Sequence, residues 1–395
     1  MSVNEKNINE EEDNNIFDSW DDENLKLDQR ILRGIFSYGY EKPSPIQKKA
    51  IIPIINKNDI IAQAQSGTGK TGAFSIGVLG RIQIEKQNTQ CIILSPTREL
   101  SIQTYDVLKG LSGKYPVDIQ LLIGGTSIDK DISQIREKKP HIIVGCPGRI
   151  HDMLRRKEIK TAEIKLVVLD EADEMLSTGF QEQVYNILQF VSGETQICLF
   201  SATIPHEISK LSEKFMRDPI RILVKQDMLT LEGIKQYYVA IDNDISKFET
   251  IKDLFSILSL SQCIIYCNSV KRVIDLYDAM KDEDFPVCTI HSSMSRDERT
   301  TSFNEFKAGK YRVLISSNVT ARGIDIQQVS TVVNFDVPKC VHTYLHRIGR
   351  SGRWGRKGLG INFVTRRDVQ KIKSIEQHYN TQIEELPKNF SDQLK

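Results

Sequence analysis

Ala64-Gln65-Ser66-Gly67-Thr68-Gly69-Lys70-Thr71 is the stretch on which the reading of this chain turns. It follows the apolar run Asp59-Ile60-Ile61-Ala62 and leads into Gly72-Ala73-Phe74-Ser75-Ile76-Gly77-Val78-Leu79, whose pattern predicts a helix. A strand, a glycine-bearing turn and a helix start together make a phosphate cradle. Glycines let the backbone curl until its N–H groups point at one anion, and the helix N-terminus adds about half a positive charge. Gln65, Ser66, Gly67, Thr68 and Gly69 supply the turn, Lys70 reaches the terminal phosphates of a nucleoside triphosphate, and the Thr71 hydroxyl sits on Mg²⁺. The usual motif opens with Gly, and Ala64 stands in that place here. Alone, Gly-Thr-Gly-Lys-Thr also fits an ordinary glycine-rich turn. The flanking strand and helix patterns favour the cradle.

Bulk composition bounds the rest. At 395 residues the chain suits two domains better than one core. It is 39% hydrophobic and 27% charged, as in a water-exposed globular protein. No apolar run approaches the ~18 residues of a membrane span, and no signal peptide opens the chain. The expected place is the cytoplasm, with the nucleus as the alternative, and the expected state is a monomer without membrane contact. Seven cysteines are scattered without a CxxC pair, which fits free thiols in a reducing compartment. Residues 1–24 carry nine acidic residues against Lys6, a net of −8, so the remaining chain carries +9 of the total +1. A basic body suits a polyanionic partner, although most surface lysines merely solvate a face. Residues 1–16, rich in Asn and Glu, are expected to form an acidic, disordered tail.

Short Ile-, Val- and Leu-rich runs at 59–62, 91–95, 118–123, 141–145, 165–169 and 196–200 alternate with helical patterns. Strands buried on both faces of a parallel sheet look like this, and ligands of such sheets sit at the carboxyl ends of the strands. The run 165–169 leads into Asp170-Glu171-Ala172-Asp173. A carboxylate at a strand end is where a nucleotide-bound Mg²⁺ needs a ligand, which assigns Asp170. Glu171 is placed to orient or deprotonate the attacking water. An acidic helix start is the plain alternative, and for Asp173 both readings hold.

Cradle and Asp-Glu-Ala-Asp together resemble a DEAD-box RNA helicase, and further motifs follow in that family's order. Gly39-Tyr40-Glu41-Lys42-Pro43-Ser44-Pro45-Ile46-Gln47 resembles the adenine-reading Q motif. The amide of Gln47 offers donor and acceptor to an adenine edge, and the resemblance puts Trp20 where the family has an adenine-stacking Phe. Pro96-Thr97-Arg98, Gly124-Gly125 and Pro147-Gly148-Arg149 stand where the family grips RNA phosphates. There arginines offer charged forks, and glycines admit the strand backbone. Ser201-Ala202-Thr203 resembles the motif linking ATP state to RNA grip.

After a strand-like run at 220–224 and a polar connector at 225–233, a second series begins at 237–241, 262–267, 287–290, 312–316, 331–335 and 360–364, with no second cradle. It ends in His346-Arg347-Ile348-Gly349-Arg350-Ser351-Gly352-Arg353. This resembles the family's motif VI, in which Arg350 and Arg353 act on the γ-phosphate and His346 and Arg347 couple to RNA. A γ-phosphate arginine is worth about 10³–10⁵ in turnover. Ala321-Arg322-Gly323-Ile324-Asp325 resembles motif V, whose carboxylate, Asp325, holds the ATP ribose.

The segments Leu229-Thr230-Leu231-Glu232-Gly233-Ile234-Lys235-Gln236 and Tyr379-Asn380-Thr381-Gln382-Ile383-Glu384-Glu385-Leu386-Pro387 are most similar to the initiation factor 4A group. The resemblance implies two tandem RecA-like α/β domains with parallel sheets at 17–224 and 234–395, flanking a cleft that ATP·Mg²⁺ closes. It also implies RNA bound with little sequence preference and an initiation-factor-like scaffold partner. The chain departs from the family in four places: His291-Ser292-Ser293 stands for His-Gly-Asp, Arg296 for Gln, Ser317-Asn318 for Thr-Asp, and Cys146 for Thr. The expectation is weakened RNA coupling with the nucleotide residues intact. An ATP-dependent RNA clamp that seldom unwinds is the alternative activity. A catalytically idle interaction protein is disfavoured by intact Lys70, Asp170, Glu171 and Arg350.

Overall fold

The computed structural model describes residues 17–64, 67–177, 179–222, 234–257, 262–318, 329–351 and 358–387. The tail 1–16, the connector 225–233 and the candidate residues Gln65, Ser66, Asp325 and Arg353 lie outside the described residues. The chain divides into two compact units, Met1–Val224 and Lys225–Lys395.

In the first unit, β1 (Ile60–Gln63), β2 (Cys91–Leu94), β3 (Ile119–Leu122), β4 (Ile142–Gly145), β5 (Leu166–Asp170), β6 (Gln196–Ser201) and β7 (Ile220–Ile222) form one parallel sheet. Its order is β3-β4-β2-β5-β6-β1-β7. The second unit contributes β8 (Ile234–Ala240), β9 (Cys263–Tyr266), β10 (Val287–Ile290), β11 (Val313–Ser316), β12 (Thr331–Asn334), β13 (Gly358–Val364) and β14 (Glu384–Glu385). These pair in parallel in the order β10-β11-β9-β12-β13-β8-β14. Adding seven to each number of the first order gives the second, so the units share one topology.

A four-residue strand such as Cys-Ile-Ile-Leu is held by burial, at about 1.5–3 kcal/mol for each large aliphatic side chain. In β2, Cys91 and Ile93 enter one apolar cluster, and Ile92 and Leu94 enter another. β5 divides likewise, Leu166 and Val168 against Val167 and Leu169, and in β9 Cys263 and Ile265 part from Ile264 and Tyr266. Successive side chains point to opposite faces, so an unbroken apolar run is what a sheet covered by helices on both faces requires. β8 begins at Ile234, three residues before the expected run, because β13 pairs with it from Gly358↔Ile234 to Val364↔Ala240.

All seven cysteines are free thiols, and five of them are buried. No helix among the described residues is long and apolar enough to cross a membrane.

Candidate functional site

The carboxyl edge of the first sheet divides between two sets of loops. Those after β5, β6 and β1, adjacent strands, carry the DEAD sequence, Ser201 and the cradle. The helix Lys70–Arg81 starts directly from the cradle, with Gly69 as its N-cap at φ 100°. A Cβ at Gly69 would lie 2.7 Å from Ser44 Oγ and 3.0 Å from Gln47 Nε2, so both backbone angle and space demand glycine there.

Lys70 Nζ lies 3.4 Å from Glu171 Oε1, with the two side chains 5% and 3% exposed. Glu171 occupies the turn between β5 and the helix Ala172–Ser177 at φ 51°, the left-handed region that a side chain seldom adopts. That backbone conformation leaves its carboxylate beside the cradle cation. Asp170, the last residue of β5, is buried, and its Oδ1 accepts from the Glu171 N–H at 3.0 Å. Burial first, and then the Glu171 carboxylate, pushes the Asp170 carboxyl up to about 7, with Lys70 opposing. A carboxylate so placed gains from a cation beside it. Asp173 is tied to the end of β6: Thr203 Oγ1 donates to its Oδ2 at 2.8 Å, and its N–H donates to Ser201 Oγ at 3.3 Å.

Gln47 sits on the helix Pro45–Ile55, where Ser44 and Gln47 form a capping box. Its Oε1 accepts from the Ser44 N–H at 2.7 Å, and its Nε2 donates to the Gly69 carbonyl at 3.4 Å. The amide is therefore a strut onto the cradle, with one further N–H and one lone pair to offer. Tyr40 belongs to the same corner and was not singled out from sequence. A Cβ at Gly72 would meet Gln47 Nε2 at 2.6 Å and the Tyr40 ring and hydroxyl at 2.9 Å. The signal was its place in the motif, one residue after Gly39. Trp20 corrects an expectation: it is 1% exposed, with its ring packed between Phe17 and Tyr40 at 5.7 and 6.4 Å. Both neighbours are aromatic and the site is core, so Trp20 builds the wall behind Tyr40 and presents no open stacking face.

The loops after β3, β4 and β2, the other adjacent group, carry the second set. Thr97 caps the helix Arg98–Ser112, accepting from the Leu100 N–H at 3.2 Å. The Arg98 guanidinium lies over the glycine turn: a Cβ on Gly125 (φ 84°) would lie 2.9 Å from its Nη1, and one on Gly124 3.2 Å from its Nη2. Gly148 is exposed in the first turn of the helix Pro147–Arg155, with no atom near the place of a Cβ. Ser101 Oγ, in the helix after β2, and Cys146 Sγ, directly after β4, lie 3.5 Å apart and link those two connections.

Three residues of this group depart from the expected role. Arg149 turns inward: it pairs with Asp131, donates to Thr126 Oγ1 and donates to the Thr126 carbonyl, both at 2.9 Å. Its fork is spent on bracing the turn Gly124–Thr126, because a buried carboxylate lies within reach. Pro96 and Pro147 are buried, so they shape their turns from beneath.

In the second unit the helix Val341–Ile348 carries His346 and Arg347, both buried. Arg347, 0% exposed, is held by neutral oxygens. Asn318 Oδ1 accepts from its Nε and Nη2 (3.0 and 2.7 Å), Asn268 Oδ1 from Nη2 (2.8 Å), and Asn334 Oδ1 and the Asp336 carbonyl from Nη1 (3.1 and 2.8 Å). Burial lowers the guanidinium to about 10, still charged at neutral pH. The Asp336 carboxylate faces elsewhere, to Arg272 at 2.7 Å and Lys247 at 3.1 Å, which hold its carboxyl below the usual range against the effect of burial. Arg350 is buried, and its Nε donates to the His346 carbonyl at 3.3 Å. Asn318, whose amide can hydrogen-bond although it lacks the charge of an Asp, thus bonds Arg347 through Oδ1. Ser292 and Ser293 are exposed in the turn after β10, and His291 is buried.

Comparison with known proteins agrees with this geometry. Residues 44–211 match the DEAD/DEAH box helicase family, and residues 246–355 match the helicase conserved C-terminal domain. The chain is 49% identical to the ATP-dependent RNA helicase eIF4A of Chaetomium globosum over 375 residues, 95% of this chain and 94% of that one. It is 47% identical to the ATP-dependent RNA helicase fal1 of Schizosaccharomyces pombe, over 97% and 96% of the two chains. Among solved structures, S. cerevisiae Dbp5 bound to RNA and ADP BeF3 superposes with a TM-score of 0.86 at 34% identity, covering 94% of this chain and 96% of that one. Matches of this identity over nearly the full length show that the chain belongs to the DEAD-box family of ATP-dependent RNA helicases.

Proposed function

We propose that this protein uses ATP·Mg²⁺ to unwind or remodel short RNA duplexes in translation initiation, gripping RNA by its backbone. The observation that carries the reading is the split carboxyl edge of one sheet. Lys70, Asp170 and Glu171 gather on β5-β6-β1, and Arg98 with three glycines gathers on β3-β4-β2. The Ser201–Asp173–Thr203 hydrogen bonds join the end of β6 to the DEAD helix within the nucleotide-side group. Lys70 holds the terminal phosphates, and Glu171 orients the attacking water and takes its proton. Asp170 and Thr71 would hold the Mg²⁺, which withdraws charge from the phosphates when bound. Arg350 and Arg353 supply charge to the transferred phosphoryl group, and Gln47 with Tyr40 receives the adenine. Contacts to phosphates and 2′-hydroxyls give little sequence preference. The cytoplasmic place and the scaffold partner rest on likeness to eIF4A.

The variant Ser292→Gly/Ser293→Asp/Asn318→Asp tests the coupling role. A carboxylate at 318 would meet Arg347 with a charge in place of an amide dipole, worth about 1 kcal/mol or roughly fivefold in a coupled rate. RNA-stimulated ATPase is expected to rise by about that factor with the RNA-free rate almost unchanged. Rates are measured against RNA concentration at one fixed salt, because phosphate contacts make affinity salt-dependent. Strong stimulation of the unmodified protein, with no gain in the variant, would make these positions neutral.

A further inference from the structure

The opposite edge of the first sheet carries a second site. A cavity of about 580 Å³, within the range of small-molecule pockets, opens at the amino ends of β2, β5, β6 and β1. Gln90, Lys165 and Asp59 line it from the positions just before β2, β5 and β1, and Gln196 from the first position of β6. The cradle and the glycine turns all lie at the opposite, carboxyl edge of the sheet.

The cavity is cationic. Lys57, Arg81, Lys86, Lys165 and Arg217 line it against Asp59 and Glu194, and both acids are already engaged. Asp59 is buried and accepts from the backbone N–H groups of Ile197 (2.8 Å) and Arg217 (2.7 Å). Glu194 accepts from the Arg217 fork, at Oε2 (2.8 Å) and at its carbonyl (3.0 Å). Among the described residues no carboxylate pairs with Lys57, Arg81, Lys86 or Lys165. Arg81 is half-buried, its Nε donating to Gln196 Oε1 at 3.4 Å, and burial lowers its guanidinium from the usual value.

Cations at helix ends need no ligand, since the last carbonyls attract them. Lys57 and Arg81 are accounted for in that way, at the ends of the helices Pro45–Ile55 and Lys70–Arg81. Lys86 and Lys165 lie on no helix. The loop bearing Lys86 is held in place by the buried Gln90 amide. Gln90 Nε2 donates to the carbonyls of Gln83 (2.8 Å) and Lys86 (3.0 Å), and its Oε1 accepts from the Gln83 N–H (3.0 Å). The backbone of Lys86 is therefore held at the edge of the cavity.

We propose that this cavity binds a small polyphosphorylated anion, held by Arg81 at its floor and by Lys57, Lys86 and Lys165 at its rim. An RNA strand is the disfavoured occupant. A strand tracks an extended open groove, whereas this is a single concavity at the strand ends.

The test is calorimetric titration of the full chain with inorganic tripolyphosphate at about 150 mM salt, with the cradle saturated by ADP. One ADP-independent site is expected. Lys86→Glu/Lys165→Glu, two exposed positions, should weaken it by about tenfold or more and leave ADP affinity and thermal midpoint unchanged. Binding that ADP abolishes, or that the double variant leaves intact, would overturn the proposal. So would a short oligouridylate losing affinity in the double variant as much as tripolyphosphate does, since the surface would then be an RNA path.

Discussion

Lys70→Ala is expected to reduce ATP turnover to below a tenth of the unmodified rate while the protein stays folded. Lys70 lies at the first position of the cradle helix with its ammonium buried, where an interaction with charge developing on the transferred phosphoryl group is far stronger than in water. Loss of one such group costs about 10²–10³ in rate. The substitution also takes the cation away from Glu171, 3.4 Å distant and buried. Steady-state ATPase is therefore paired with a circular dichroism melt. A folded variant retaining more than a tenth of the activity would remove the cradle assignment.

Glu171→Gln and Asp170→Asn are expected to fail in different ways. A glutamine at 171 keeps an oxygen for Lys70 and the same volume in the left-handed turn, so ATP binding survives. Without the base, turnover falls by about 10²–10⁴, and RNA stays bound in the ATP state. Asparagine at 170 withdraws the negative charge from the end of β5, and the Mg²⁺-dependent part of ATP affinity falls instead. Fluorescent-ATP titrations with and without Mg²⁺, alongside RNA retention on a filter, separate the two. Equal loss of ATP affinity in both variants without RNA retention would contradict the roles.

Much of this was legible because the signals are local. Cys91-Ile92-Ile93-Leu94, short and apolar at every position, suits a strand covered on both faces, and Gly69-Lys70-Thr71 suits a helix start. What sequence spacing does not carry is which way a side chain faces. Trp20 and Tyr40 are both aromatics near the Q motif, and only packing shows that Trp20 is wall and Tyr40 is site. Arg149 reads as an open fork until Asp131, eighteen positions earlier, proves to be its partner. The charged pair Glu384–Glu385 carries no strand pattern and becomes β14 only because the edge of β8 is there to pair with. The cationic cavity was invisible for a related reason. Lys57, Arg81, Lys86 and Lys165 form no motif, and parallel topology alone brings the beginnings of β1, β2 and β5 to one place.

Strand separation by the purified full chain distinguishes an unwinding enzyme from a clamp. A short RNA duplex bearing a fluorophore and a quencher is mixed with the protein, and release is followed with ATP·Mg²⁺, with ADP·Mg²⁺ and with the Glu171→Gln variant. Release is expected with ATP, none with ADP, and at most a single round without turnover for Glu171→Gln. RNA held tightly with ATP, but with no strand released by the unmodified protein, would contradict unwinding and leave an ATP-dependent RNA clamp.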